Sequence, residues 1–262
     1  MNVLILGGNG MLGPWVVTAM KDRHEILLTD INEPHPDYGG EYQRLSVDDV
    51  DGVVKAAEGM DVIVNLSVLR PHRKLAFDVN TMGNYAMMVA AREHRISRVI
   101  TTGPHFQMAG TQYEDWDFDL NPDMPPASGT RLYAHTKALG QEICRVFSER
   151  HGIQVITLLY YNMKHSWDLS GNEPDGPAYH EDMVPFSTAW YDCGTAVKAA
   201  VEVSAERLAS KCETFFVFPD LPHRKFDNQK TKRVLDWKPR YHVEGLWNKE
   251  WRPPPDNLHG AF

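Results

Sequence analysis

Short apolar runs and longer amphipathic stretches alternate through the first two-thirds of the chain. The runs "NVLIL" (2–6), "EILLT" (25–29), "YQRL" (42–45), "DVIVN" (61–65), "RVITT" (98–102) and "QVITLL" (154–159) are aliphatic or β-branched and as short as strands. Between them, residues 11–21, 48–58, 74–94 and 132–151 carry apolar positions at helical spacing. Near-continuous apolar strands separated by helices predict a parallel sheet covered on both faces, an α/β Rossmann-type doubly wound fold. Such sheets bind ligands beyond the carboxyl ends of the strands, where the strand order reverses. The loops after residues 6, 29, 65, 102 and 159 are therefore expected to meet at one site.

Beyond residue 160 the pattern loosens. A helix is predicted around 193–209, a strand at 214–218, then a short helix and a Pro- and Trp-rich tail. Residues 1–160 are expected to form a nucleotide-binding core. Residues 161–262 are expected to form a small substrate lobe, interleaved with the core's last strand and helices. The connection 103–130 is rich in Pro, Gly and Asp, and loops of that length in a compact domain are commonly functional.

Composition narrows the class. A net charge of −8 argues against a nucleic-acid or anionic-membrane partner. No apolar run approaches the roughly 20 residues of a membrane helix. The start, "MNVLILGGNG", runs directly into a strand and glycines, so no signal peptide is expected. Three cysteines, Cys144, Cys193 and Cys212, are too few and too scattered for a disulfide framework, which points to a reducing, cytoplasmic setting. The twelve histidines lack paired-ligand spacing, and the cluster His180, Glu181, Asp182 is weak support for a metal, so none is expected.

Two stretches carry chemistry. "GGNGMLG" follows the first strand and opens the first helix, satisfying both Gly8-x-Gly10-x-x-Gly13 and Gly7-x-x-Gly10-x-x-Gly13. Glycines there allow a tight turn and close backbone approach to a pyrophosphate at a helix N-terminus. Pro14 falls in the first helical turn, where its missing N–H costs nothing. Asp30 ends the second strand 17 residues after Gly13, where a carboxylate can accept both ribose hydroxyls and repel a 2′-phosphate; NAD is the expected cofactor. In "RLYAHTKALG", Tyr133 and Lys137 stand one helical turn apart and can form a proton-transfer pair. A bland alternative is two neighbours on a solvated helix face. The same spacing recurs in Tyr160 and Lys164, directly after a strand, where it brings no side chains together.

With "GGNGMLG", "VNTMGNYAMMVAAREHRISRVI", "YAHTK", Asn162 in "LLYYNM" and "LDWKPRY", the chain resembles the extended short-chain dehydrogenase/reductase family, also called the NAD-dependent epimerase/dehydratase family. The resemblance spans nearly the whole chain. Within the family it is most similar to the uronate dehydrogenases, through "STAWYDCGTAV", "FDNQKTKRVLDWKPRY" and His105. It implies a base, Tyr133, assisted by Lys137, and an Asn80 that supports the active-site helix. It implies NAD contacts from Gly7, Asn9, Gly10, Met11, Leu12, Gly13, Asp30, Ile31, Ser46, Val47, Leu66, Ser67, Asn80, Thr101, Tyr133, Lys137, Tyr160 and Asn162. Substrate contacts fall to Ser67, Arg70, His72, His105, Tyr161 and Asn162. Arg70, His72 and Arg73 in "SVLRPHRK" suit a carboxylate, or are simply a solvated basic turn.

The chain departs from the family in three places. The catalytic serine falls at or next to Gly103, so that Thr102 or His105 supplies the donor, or the hydroxyl is missing. Ser46 stands where the family has an aspartate, and Leu159-Tyr160 where it has Arg-Pro. The expected activity is NAD-dependent oxidation of a secondary hydroxyl of a small sugar or sugar acid. An NAD-retaining epimerase or dehydratase and a catalytically silent NAD-binding sensor are the alternatives. Met82, Tyr85, Met88 and Val89 exceed what one sheet-facing stripe needs, and the family's usual homodimer, through helices 74–94 and 132–151, is expected.

Overall fold

The computed structural model describes residues 1–34, 38–108, 120–164, 187–221 and 226–241. Seven parallel strands form the central sheet: β1 (Asn2–Leu6), β2 (Glu25–Asp30), β3 (Glu41–Arg44), β4 (Val62–Asn65), β5 (Arg98–Pro104), β6 (Gln154–Tyr160) and β9 (Cys212–Phe216). Their order is β3-β2-β1-β4-β5-β6-β9. The chain winds outward from β1 to β3, returns to β4, and then winds the other way. The reversal lies between β1 and β4, and opens a crevice beyond Leu6 and Asn65, where β1 and β4 end in register. A second, two-stranded sheet pairs β7 (Met163–Lys164) with β8 (Thr188–Ala189).

Both faces of the sheet are apolar because both are covered. Val3 and Ile5 of β1 point into one core, packed with helices α1 (Gly13–Met20) and α6 (Trp190–Glu202). Leu4 and Leu6 point into the other, with α2 (Val50–Ala56), α4 (Gly83–Glu93) and α5 (Leu132–His151). Burying aliphatic side chains on both sides is worth about 1.5–3 kcal/mol for each large one, and accounts for strands that read as unbroken apolar runs.

Several boundaries differ from the sequence reading. The first helix begins at Gly13 rather than 11, because residues 10–12 form the turn that precedes it. The helix expected over 74–94 is three pieces: α3 (Arg73–Phe77), a π-helical turn (Asp78–Met82), and α4. Its widened turn is closed by the Gly83 amide donating to the Asp78 carbonyl, five residues back. The helix predicted over 193–209 ends at Glu202, since Val203 and Ser204 are extended. The last strand lies two residues earlier than predicted. Of the supposed surplus apolar positions, Met88 and Val89 are buried in the core while Met82 and Tyr85 are exposed.

The segment after residue 160 contributes β9 and α6 to the core, then α7 (Gln229–Leu235). The buried Asp192 carboxylate of α6 accepts the Arg240 and Tyr241 amides, at 2.8 and 3.1 Å. Trp237 donates its indole N–H to the Asp192 carbonyl and the Thr195 hydroxyl. These contacts tie residues 237–241 to the Rossmann core. The cluster at 180–182 lies outside the described residues. Among the described residues no group of three or more metal-ligating side chains occurs. No described helix is long and apolar enough to cross a membrane.

Candidate active site

At the carboxyl edge of the sheet the glycine loop is built by close approach. Gly7 has φ +71°, and a Cβ there would stand 2.6 Å from Ser67 Cα. A Cβ at Gly13 would lie 1.7 Å from the Gly8 carbonyl oxygen, so only glycine lets α1 start so near β1. Gly10 differs: its Cβ would meet only the Gly7 carbonyl, at 3.4 Å, and the residue faces open space. Asp30 braces the loop, accepting the Asn9 amide at 3.1 Å on one oxygen and the Asn32 amide at 3.1 Å on the other. Beside it Met11 and Ile31 are exposed. A backbone cradle, an open glycine and a carboxylate at the end of β2 are the parts a dinucleotide's pyrophosphate and ribose require.

A cavity of about 580 Å³ runs from this loop across the switch point. Gly7, Gly10, Met11, Leu12 and Leu66 line one end, and Thr102, Tyr133, Lys137, Tyr160, Tyr161 and Asn162 the other. Another large cavity, about 870 Å³, lies between α1, β2 and residues 38–41. Of the predicted site residues it takes in only Asn9, so the chemistry belongs to the smaller one.

Tyr133 opens the first turn of α5 and Lys137 follows one turn later. Lys137 is only 4% exposed, and its ammonium donates to the Ser67 carbonyl at 2.8 Å and the Thr102 carbonyl at 3.0 Å. Burial pushes its pKa down to about 7, against a smaller upward pull from Cys144; the Arg70 charge adds to the fall. Burial pushes the Tyr133 phenol up, while the charge of Arg70 and a hydrogen bond from it pull it down. The Arg70 guanidinium carbon sits 5.4 Å from the Tyr133 ring centroid.

Asn80 is fully buried in the π-helical turn. Its amide donates to the Leu69 carbonyl at 2.8 Å and to the Thr136 hydroxyl at 2.9 Å, while its oxygen accepts the Leu69 amide. It thereby joins the loop that carries Arg70 to the residue next to Lys137. Ser67 donates its backbone N–H and hydroxyl to Asn65 and holds the β4 exit. Ser46, beside Val47 at the β3 exit, hydrogen-bonds Asp48.

Three residues assigned to the site from the sequence are not brought to the cavity by the structure, and the second Tyr/Lys spacing falls as the sequence predicted. His105 is fully buried; its ring packs against Tyr161 at 4.2 Å and Phe226 at 4.9 Å, and it does not line the cavity. Burial drives its pKa to about 3, so it is neutral. His72 caps α3, its Nδ1 accepting the Leu75 amide, and does not reach the cavity. Thr101 turns inward and donates to Asn84, because successive residues of β5 face opposite sides of the sheet. Tyr160 and Lys164 fall on different strands, as their position after a strand predicted; the Tyr160 hydroxyl donates to the Cys193 carbonyl. Residues the sequence reading missed also line the cavity: Val68, Pro104, Phe106, Arg131, Met163 and Trp190. Arg131, two residues before Tyr133, could have been found from that proximity; Trp190 carried no local signal.

A nucleotide cradle and a Tyr–Lys pair at the switch point of a seven-stranded parallel sheet define a Rossmann-type dinucleotide enzyme. Residues 3–164 match the NAD dependent epimerase/dehydratase family, and the chain belongs to that family. A curated relative, L-arabinose 1-dehydrogenase (NAD(P)(+)) from Haloferax volcanii, is 26% identical over 220 residues, covering 77% of this chain and 83% of that one. Among solved structures, uronate dehydrogenase from Agrobacterium tumefaciens superposes with a TM-score of 0.75 at 20% identity, covering 98% of this chain and 91% of the other. UDP-glucuronic acid 4-epimerase from Bacillus cereus, in complex with NAD, superposes with a TM-score of 0.71 at 14% identity, covering 93% of each chain.

Proposed function

We propose that this protein is an NAD-dependent dehydrogenase that oxidises a secondary hydroxyl of a small sugar or sugar acid. The observation that carries the reading is the convergence of Gly10, Tyr133 and Lys137 on one cavity. The glycine loop and Asp30 would hold the pyrophosphate and ribose of NAD, and Lys137 the nicotinamide ribose. Bound NAD supplies the hydride acceptor. Tyr133, as phenolate, takes the hydroxyl proton. A free tyrosine titrates near pH 10, so a base active near neutrality needs positive charge beside it. Arg70, over the Tyr133 ring, stands in position to provide that charge, and Lys137 lies one turn further along the same helix as Tyr133.

The sugar class draws support from the arabinose and uronate dehydrogenases. The cavity adds a preference for acids: Arg70, Arg131 and Lys137 line it, and among the described residues no carboxylate does. Aromatic side chains, Phe106, Tyr161 and Trp190, give apolar surface for the C–H face of a sugar ring. The test is a screen of aldoses and uronic acids with NAD, read as NADH formation. Turnover of at least one is expected, and Tyr133→Phe should lower kcat by about 10²–10⁴ while leaving NAD affinity nearly intact. Protein that purifies with tightly held NAD and forms no net NADH would instead favour an epimerase or dehydratase. Full activity in Tyr133→Phe would reject the assignment of the base.

A further inference from the structure

The space of the family's serine is already filled in this chain. A Cβ added to Gly103 would lie 2.1 Å from Oε1 of Gln107, so the Gln107 amide fills the volume a serine side chain would enter. That amide hydrogen-bonds Gln141, which donates to the Thr214 hydroxyl at 2.8 Å, and Gln107 is buried away from the cavity. The Thr102 hydroxyl is directed at the Asn65 carbonyl, 3.3 Å away, and His105 is enclosed by aromatic rings. Lys137 commits its ammonium to two backbone carbonyls. The charged group that lies over the Tyr133 ring is Arg70, its guanidinium carbon 5.4 Å from the ring centroid; it is exposed and lines the same cavity.

We propose that Arg70 is a catalytic residue doing the work of the missing serine: its guanidinium donates to the reacting oxygens, those of Tyr133 and of the substrate, and stabilises the phenolate. The proposal rests on the dehydrogenase reading above. With NAD bound, the electron pair of the substrate's C–H bond would leave as hydride to the cofactor while the hydroxyl proton would pass to Tyr133. Arg70 neither gains nor loses a proton, since a guanidinium stays charged throughout. A guanidinium can make two parallel hydrogen bonds, so one side chain serves both oxygens. The charged or titratable groups around the Tyr133 cavity are Arg70 from the loop after β4, Arg131 just before α5, Lys137 on α5, Tyr160 and Tyr161 at the end of β6, and the neutral His105 behind Phe106, whose ring stacks edge-on to Tyr133.

The test combines a titration that needs no substrate with kinetics. Protein labelled with ¹³C at the tyrosine ζ carbons is titrated by NMR, and Tyr133 is assigned by the resonance lost in Tyr133→Phe. Arg70→Met should raise the Tyr133 midpoint by about one pH unit or more, and Arg70→Lys should fall between. Arg70 is exposed, so both variants should fold. In turnover, Arg70→Met should lower kcat by about 10² for neutral and acidic sugars alike, and move the rise of kcat with pH upward. An unchanged midpoint overturns the proposal. So does a loss confined to KM for acidic sugars, which would mean that Arg70 only holds a carboxylate. If the wild type oxidises no sugar, the dehydrogenase reading fails, and the titration still decides whether Arg70 governs Tyr133.

Discussion

Lys137 shows what burial does to a charged side chain that lines the candidate site. Unfolded, a lysine binds its proton up to about pH 10.4; in the folded cofactor-free protein the pKa is pushed down to about 7. Between those values the unfolded chain holds more protons than the folded one, so stability rises with pH. The slope is at most about 1.4 kcal/mol per pH unit. Above pH 9 the buried thiols of Cys144 and Cys193, raised by burial, oppose it, because they stay protonated in the fold while the unfolded thiols ionise. Urea melts of the cofactor-free protein should therefore show stability climbing from about pH 7 to 9, and Lys137→Met should flatten the climb. An equal slope in both would mean that Lys137 is charged in its pocket. That Tyr133 and Lys137 share one cavity was legible from spacing together with place in the chain. The parity of β5 was not: a strand apolar on both faces gives no hint whether Thr101 or Thr102 turns to the cavity.

At the scale of elements, the helix that carries Asn80 was legible as a helix but not as one with a π-helical turn. "DVNTMG" contains no proline and no break in its apolar spacing, so nothing local marks the extra residue per turn. What selects the turn is tertiary: Asn80 must meet both Leu69 and Thr136, and π-helical turns recur at functional sites. The β5 exit shows a similar limit. That Gly103 stands at or next to the family's serine position is what the resemblance implies; that Gln107 occupies the space beside it depends on the short helical turn 105–107. Gly103→Ser alone should overpack this point and cost about 1–3 kcal/mol of stability in thermal melts. Adding Gln107→Ala should recover a good part of that loss, because the clashing amide is gone, although Gln141 then loses a partner. If the double variant is no more stable than Gly103→Ser, the two side chains do not compete for the same volume.

For the whole molecule, the doubly wound sheet follows from the alternation of apolar runs and amphipathic stretches, and the switch point from the order in which they wind. Quaternary structure is a matter of what that winding leaves uncovered. Phe77, Met82 and Tyr85 on α3 through α4, with Leu139 and Val146 on α5, remain exposed on two helices that pack side by side, joined where Tyr85 meets Phe147 edge-on at 5.7 Å. Apolar side chains so placed mark an interaction surface. A two-fold interface uses the same patch on both partners, so each residue counts twice. With about half of each side chain already covered, completing the burial should bring roughly 1 kcal/mol per residue. Summed over both protomers, that is comparable to the roughly 4–15 kcal/mol that association costs. The chain is therefore expected to form a homodimer by stacking these helices into a four-helix bundle. Light scattering at micromolar concentration should give twice the 29.8 kDa chain mass. Val146→Glu places two carboxylates in such an interface at once, and should yield monomers that keep the fold by circular dichroism. A wild-type protein that scatters as a monomer would mean that this face is left to solvent or to a different partner.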